Sequence, residues 1–412
     1  MRQTLSRRPS APRALALVAA LAACGPQRAP ENLELAGPGG SAYQAQYRDP
    51  PATRAAGGFL RAPEMNARTC RPPAGGAPGS GGKGSLPAVA LRGLKLSPGD
   101  LLDVRVGEDE TLTGAVEVRG DGAVTLPFLP PVQAAGRSEA DVEASVIQAL
   151  LDEELYTTAP RVSVRLQDLA AVRVGVSGAV FEPQPVTVGS VPGDQVDALR
   201  QMAIGSATEA RNLSVALRAA GGVRPDADLS AVELRRAGRL YTLDLRPILD
   251  GQRGPDVMLI AGDEIRVPSR GCFDEDLMVV GPISPPGITL FLSNLTVPAT
   301  GNAPSAVGRE VREVPYGTRF LQAVIDTNCV GGIRGTSADR AAALLSRNPV
   351  TDVSIVVQRR VEDMLRRPDR DDYDPYLLPG DAIACYDSSI TSLADIGRVL
   401  GILGGSALLV AQ

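Results

Sequence analysis

Leu96-Ser97-Pro98-Gly99-Asp100, running straight into Leu101-Leu102-Asp103-Val104-Arg105-Val106, is the stretch on which the reading of this chain turns. It returns twice in altered form. Leu259-Ile260-Ala261-Gly262-Asp263 precedes Glu264-Ile265-Arg266-Val267, and Leu377-Leu378-Pro379-Gly380-Asp381 precedes Ala382-Ile383-Ala384-Cys385. Each copy is an apolar pair, a Gly-Asp turn and a short β-prone run. Glycine supplies the positive φ that such a turn takes, and aspartate bonds nearby backbone. Three copies in one chain point to a repeated building block. Gly99, Asp100, Gly262, Asp263, Gly380 and Asp381 are therefore expected to be structural turn residues.

The chain has 412 residues, enough for two to four domains. Hydrophobic residues are 44% and charged residues 22%, which allows packed cores. Aromatics are only 3%, with no Trp, while Gly (44) and Pro (34) are abundant. That balance favours short strands and many turns. The net charge is −5, and Arg2, Arg7, Arg8 and Arg13 precede the first acid, so the remainder is more acidic still. An acidic body is a poor counter-ion for nucleic acid, and no nucleic-acid partner is expected.

Residues 1–23 have the pattern of an export signal: an Arg-rich start, then an apolar run over 14–22 that is too short to span a bilayer. The run ends in Leu21-Ala22-Ala23-Cys24-Gly25, which matches the bacterial lipobox. Lipidation of Cys24 is expected, an ordinary cleaved signal being the alternative. Residues 24–90 are rich in Pro, Gly and Ala and cannot bury enough apolar area to fold alone. They read as a lipid-anchored flexible tether, with room for part of it to be ordered against the body.

Residues 91–173 read as a small α+β unit. A strand over 101–106 is followed by a hairpin in which 116–118 and 124–126 flank Arg119-Gly120-Asp121-Gly122. Ser138 caps a helix carrying Val142, Val146, Ala149 and Leu150 at helical spacing. A half-buried strand covers 161–166. Residues 174–270 and 271–387 then read as two versions of one pattern. One opens with the run 174–180, the other with 277–283. Each continues through a Pro-containing turn into a strand, 186–188 or 288–290. Each has a helix ending in Gly-Gly, at Gly221-Gly222 or Gly331-Gly332, as helix C-termini favour. A further strand, 232–234 or 353–357, precedes the closing Gly-Asp turn. The second version reads as longer, with 296–315 and 361–376 inserted.

These residues resemble the outer-membrane polysaccharide export lipoproteins, the Wza-like family. Leu96-Ser97-Pro98-Gly99-Asp100, Val118-Arg119-Gly120-Asp121-Gly122, Val124-Thr125-Leu126-Pro127 and Pro160-Arg161-Val162-Ser163-Val164 look like its polysaccharide-export domain. The two later units look like its soluble-ligand-binding (SLBB) β-grasp domains. The resemblance covers about 91–386. It implies an α+β, multi-domain periplasmic body at the cell outer membrane, mostly periplasmic and lipid-anchored. It implies a ring-shaped homo-oligomer that passes capsular or extracellular polysaccharide outward, working with an inner-membrane polysaccharide co-polymerase and its tyrosine-kinase-type regulation. No cofactor is implied.

The residues themselves argue against catalysis. The chain contains no His, the commonest general base and metal ligand. It has no Gly-rich phosphate loop, nucleophile elbow or Cys-x-x-Cys. The acidic clusters Asp274-Glu275-Asp276 and Asp369, Asp371, Asp372 and Asp374 read as solvated loops, because their spacing matches no known calcium loop. No enzyme and no metal site are expected. Beyond Cys24, the cysteines are Cys70, Cys272, Cys329 and Cys385. An oxidising compartment lets them pair. Cys329–Cys385 is the first expectation, Cys272 with either is the alternative, and buried free thiols are the third.

Residues 388–412 are expected to hold an amphipathic membrane helix. Leu393, Ile396, Val399, Leu400 and Leu403 recur at helical spacing, and Gly397, Gly401 and Gly405 form a small-residue stripe suited to helix packing in membranes. Residues 391–412 as a helix reach about 33 Å, against a hydrocarbon core of about 30 Å. A span would separate a conduit from the alternative, a periplasmic glycan- or protein-binding scaffold that forms no pore.

Overall fold

The computed structural model describes residues 30–34, 42–51, 61–76, 91, 93–107, 109–189, 211–252, 254–285, 287–294, 312–326 and 341–386. The apolar alternation after the first Gly-Asp turn becomes strand β1 (Leu101–Val106), which buries Leu102, Val104 and Val106. Strand β2 (Asp109–Glu117) returns antiparallel beside it. The turn at 119–122 forms as expected, with Gly122 at φ 82° and the Asp121 carboxylate accepting the Ala123 N–H at 3.1 Å. Its partners differ from the expected hairpin. The backbone of Val118 is bonded to Gly99 and Asp100, so β3 (Ala123–Val124) pairs instead with β4 (Val132–Gln133). Helix α1 (Glu139–Asp152) starts at Ser138, whose hydroxyl accepts the Asp141 N–H, and buries Val142, Val146 and Leu150. Strand β5 (Val162–Asp168) completes a sheet of order β2-β1-β5, on which α1 packs.

The next two units follow one path. In the first repeat, β6 (Val172–Gly178) and β7 (Gln184–Val188) form a hairpin, and α2 (Leu213–Ala219) crosses behind the sheet. Then come β8 (Val232–Arg236), β9 (Arg239–Leu243) and β10 (Glu264–Val267). The sheet order is β7-β6-β10-β8-β9, with β10 parallel to β6 and antiparallel to β8. In the second repeat, β11 (Gly287–Asn294), β12 (Arg312–Pro315), α3 (Phe320–Asp326), β13 (Ala341–Arg347), β14 (Ser354–Arg360) and β15 (Ala382–Tyr386) give the order β12-β11-β15-β13-β14. Strand by strand this is the same sheet, with the closing strand again parallel to the opening one. The body is therefore α+β, with several separate sheets.

Within the second repeat, the expected phase is wrong by one strand. The run 277–283 is not the opening strand. It is a 3-10 turn, Glu275–Leu277, and a loop in which Leu277 and Ile283 join the first repeat's core. The segment 288–290 lies in β11, the counterpart of β6, and 353–357 falls on β14, the counterpart of β9. Of the expected insertion at 296–315, residues 312–315 are not inserted, since they form β12, the counterpart of β7, and the rest lies outside the described residues. The stretch 361–376 is not an insertion: it holds the short helix Val361–Arg366 where the first repeat has Arg246–Leu249, with nearly the same spacing to the closing turn. The C-terminal segment 388–412 lies outside the described residues, as do Gly331 and Gly332.

Part of the expected tether is ordered against the body, the possibility the sequence leaves open. Residues 30–34, 42–51 and 61–76 lie against the body as a strap. Tyr43, Tyr47, Gln44, Gln46 and Ala62 are buried, and Tyr43 packs edge-on to Phe273. Arg359 donates to the carbonyls of Gln46, Tyr47 and Arg48 at 3.2, 3.1 and 2.8 Å, and its Nη1 reaches Asp49 at 3.0 Å. Asp226 ties strap and first repeat together: it accepts the Tyr43 hydroxyl and a two-pronged contact from Arg224, whose Nη1 reaches the Pro349 carbonyl of the second repeat. A disulfide, Cys70–Cys272, fixes the far end. Cys272 is thus paired with neither of its expected alternatives. Its partner comes from a Pro/Gly-rich stretch that has too little apolar area for a core of its own and borrows one from the body.

The bridge closes a loop of 202 residues. In the chain-entropy view it stabilises the fold by at most about 5 kcal/mol. The double variant Cys70→Ser, Cys272→Ser is expected to unfold at lower denaturant and to release 61–76 to protease first. Unchanged midpoint and digestion pattern would show that the strap's side-chain contacts suffice.

Candidate functional site

The three Gly-Asp turns have one geometry. Gly99, Gly262 and Gly380 sit at φ 90°, 83° and 88°. Each aspartate Oδ2 accepts the N–H three residues before it: Ser97 to Asp100 at 2.8 Å, Ile260 to Asp263 at 2.9 Å, Leu378 to Asp381 at 2.8 Å. Each aspartate N–H returns a bond to the carbonyl of that same residue. All three carboxylates are buried. A buried carboxylate needs a further partner, and here the copies diverge.

Asp100 meets Arg211 of the first repeat at 2.7 Å, both side chains fully buried. Burial pushes Asp100 up and Arg211 down from their ordinary values, their mutual attraction offsetting part of it. Arg211 also donates to the Leu259 carbonyl, and the Ala261 N–H donates to the Ser97 hydroxyl. The first Gly-Asp turn is therefore docked on the second. Asp263 is held by Arg236 through Nε at 2.9 Å and Nη2 at 2.6 Å.

Among the described residues, Asp381 has no such arginine. Leu345 lies opposite Ala382 as Arg235 lies opposite Glu264, so Ser346 occupies the position of Arg236. Burial pushes the Asp381 carboxyl up to about 7, countered in part by the Leu378 N–H and the Ser346 hydroxyl. The strap completes the site. The Tyr47 hydroxyl is 2.9 Å from Ser346 Oγ, and Gln44 Nε2 donates to Tyr47 and to the Tyr376 carbonyl. The Tyr376 N–H donates back to Gln44.

Beside this joint the second repeat opens a cleft of about 570 Å³, lined among others by Arg319, Gln322, Arg370, Asp371, Asp374 and Tyr376. The Arg319 guanidinium lies 4.1 Å over the Tyr376 ring and donates to its hydroxyl and to the carbonyls of Asp371 and Asp374. Asp374 accepts the Leu321 N–H at 2.8 Å, and burial raises its carboxyl to about 6. Such a wall of fixed donors and acceptors suits hydroxyl-rich ligands. The acidic cluster at 369–374 is thus not a solvated loop: Asp372 and Asp374 are buried, and Asp372 accepts the Ala62 N–H of the strap.

Of the other expected site residues, Cys24, Cys329, Gly397, Gly401 and Gly405 lie outside the described residues. Cys385 is buried in the second repeat's core and is disulfide-bonded to a cysteine outside them. Arg211 and Gln44 gave no signal in the sequence. Arg236 and Arg359 did, since each ends an alternating inward row, Val232-Leu234-Arg236 and Ile355-Val357-Arg359.

The first unit, β1 to β5 with α1, is the part of the chain that a known family matches. Residues 90–167 match the family of polysaccharide biosynthesis/export proteins. The match covers this export domain and supports a role in polysaccharide export. A search of curated proteins found no match. In the export domain the matched stretch includes Ser97 and Asp100, the residues that dock it on the first repeat.

Arg236→Leu should leave Asp263 buried and unpaired, costing about 3–5 kcal/mol in denaturant unfolding. Adding Asp263→Asn should recover much of that loss. A second test is titration of stability. The folded carboxyl of Asp381 lies near 7, above its ordinary value of about 3.9 in the unfolded chain. Its contribution is therefore full below about pH 4 and is lost as pH rises to about 7. Asp374 adds a smaller loss of the same sign. Asp381→Asn should flatten the decline measured by denaturation at pH 4.5 and 7.5.

Proposed function

We propose that the chain is an outer-membrane lipoprotein that forms an oligomeric conduit for capsular or extracellular polysaccharide, and that it is not an enzyme. The observation carrying this reading is the export domain joined turn-to-turn through buried Asp100 and Arg211 to two tandem repeats. Such a joint holds the export domain in a fixed orientation on the first repeat, and a protomer with fixed domain orientations is the kind that stacks side by side around a path. Cys24 would anchor it by lipid, and 391–412 would enter the membrane. Among the described residues no helix is long and apolar enough to cross one. The polar cleft beside Tyr376 also suits the second reading, a glycan-binding scaffold without a pore.

Electron micrographs of detergent-extracted protein separate the two. Closed rings are expected, together with loss of acyl labelling in Cys24→Ser and loss of surface polymer when 391–412 is deleted. Monomers only, with normal polymer display in the deletion, would favour the scaffold.

A further inference from the structure

The two repeats have sheets of the same order but differ on the outer face, the side away from the core. In the first repeat this face carries two cross-strand ion pairs, Arg235–Glu264 at 3.9 Å and Arg266–Glu233 at 3.3 Å, with Glu233 partly covered and the other three largely solvated. The pairing register assigns each of these residues a counterpart. Arg235 becomes Leu345, Glu264 becomes Ala382, Arg266 becomes Ala384 and Glu233 becomes Ala343. Gly175, beside Glu264, becomes Phe291 beside Ala382. All four charges are replaced by apolar residues, and Phe291 and Leu345 remain 54% and 44% exposed. The fold does not require this, because the first repeat folds with charges there. A row of Phe291, Ala382, Leu345 and Val356 crosses four strands, with alanines making its floor low.

We infer that this outer face is the water-side seat of the chain's own C-terminal segment, 391–412. The inference rests on the reading that this segment enters the membrane in the assembled ring. Strand β15, which supplies Ala382 and Ala384, ends at Tyr386, so the 26 residues that follow are tethered to the end of a strand that forms the face. The six residues 387–392 reach about 20 Å, ample to turn back. As a helix, Leu393 to Leu403 covers about 15 Å. The four-strand row spans about 14 Å at the usual strand spacing. Leu393, Ile396, Leu400 and Leu403 then match the row in length and in chemistry. A segment destined for lipid must keep that side out of water before it arrives, and a low apolar floor does so.

The test uses the full-length chain with Leu345→benzoylphenylalanine, irradiated in cells and separated into monomer and ring fractions. Peptide mapping should find an intramolecular crosslink to 391–412 in monomers and its loss in rings. No crosslink to 391–412 in monomers, or crosslinks only to another chain, would overturn the inference. Leu345→Arg with Ala382→Glu installs the first repeat's ion pair and should preserve the fold. It should also make 391–412 several-fold more sensitive to protease in monomers, and unchanged sensitivity would again overturn it. Absence of rings would count against the conduit alone, since the monomer crosslink is read separately.

Discussion

A carboxylate removed from water must be given a partner, and each of the three units meets that demand differently. The Gly-Asp turn buries its aspartate to tie down its own backbone, which leaves one oxygen in need of a donor. In the export domain the donor is Arg211, from the next unit. In the first repeat it is Arg236, from the neighbouring strand. In the second it is Ser346, backed by Tyr47 of the strap. Local turn geometry thus dictates how the units are held together. The joints are polar and directional, so they fix orientation more firmly than apolar contact alone would.

The same logic explains why the strap is ordered although its composition argues against it. Few of its side chains are large and apolar, but its backbone carbonyls are gathered by one buried guanidinium, Arg359, and its Gln44 pairs both ways with the backbone of Tyr376. Burial pushes Arg359 below its ordinary value, as expected for a cation held chiefly by dipoles. Composition measures what a segment can bury by itself. It is silent on what a partner surface offers.

Much of the fold was legible in the sequence because the Gly-Asp turn and the strand after it are local signals. So was the Ser138 cap, with Val142, Val146 and Leu150 at helical spacing. The second repeat was misphased because the apolar run 277–283 looks like a strand, whereas Leu277 and Ile283 are apolar to fill the first repeat's core. Periodicity shows that a residue is buried without showing in which core. The joints were legible only in part. Arg236 and Arg359 stand in alternating inward rows and were readable. Arg211 and Cys70 find their partners across more than a hundred residues, a distance no local pattern encodes.

The strap's contacts impose an order on the chain's biogenesis. Gln44 and Tyr376 are 332 residues apart, and Arg359 and Tyr47 are 312 apart. A stretch synthesised that many residues before its partners is thus among the last to find its place. Until residues 346 to 376 are available, Tyr47 and Gln44 lack their partners, and until residue 272 is available Cys70 is open to exchange with any thiol it meets. Maturation of this protein is therefore non-vectorial, and its vulnerable period lasts nearly as long as its own synthesis.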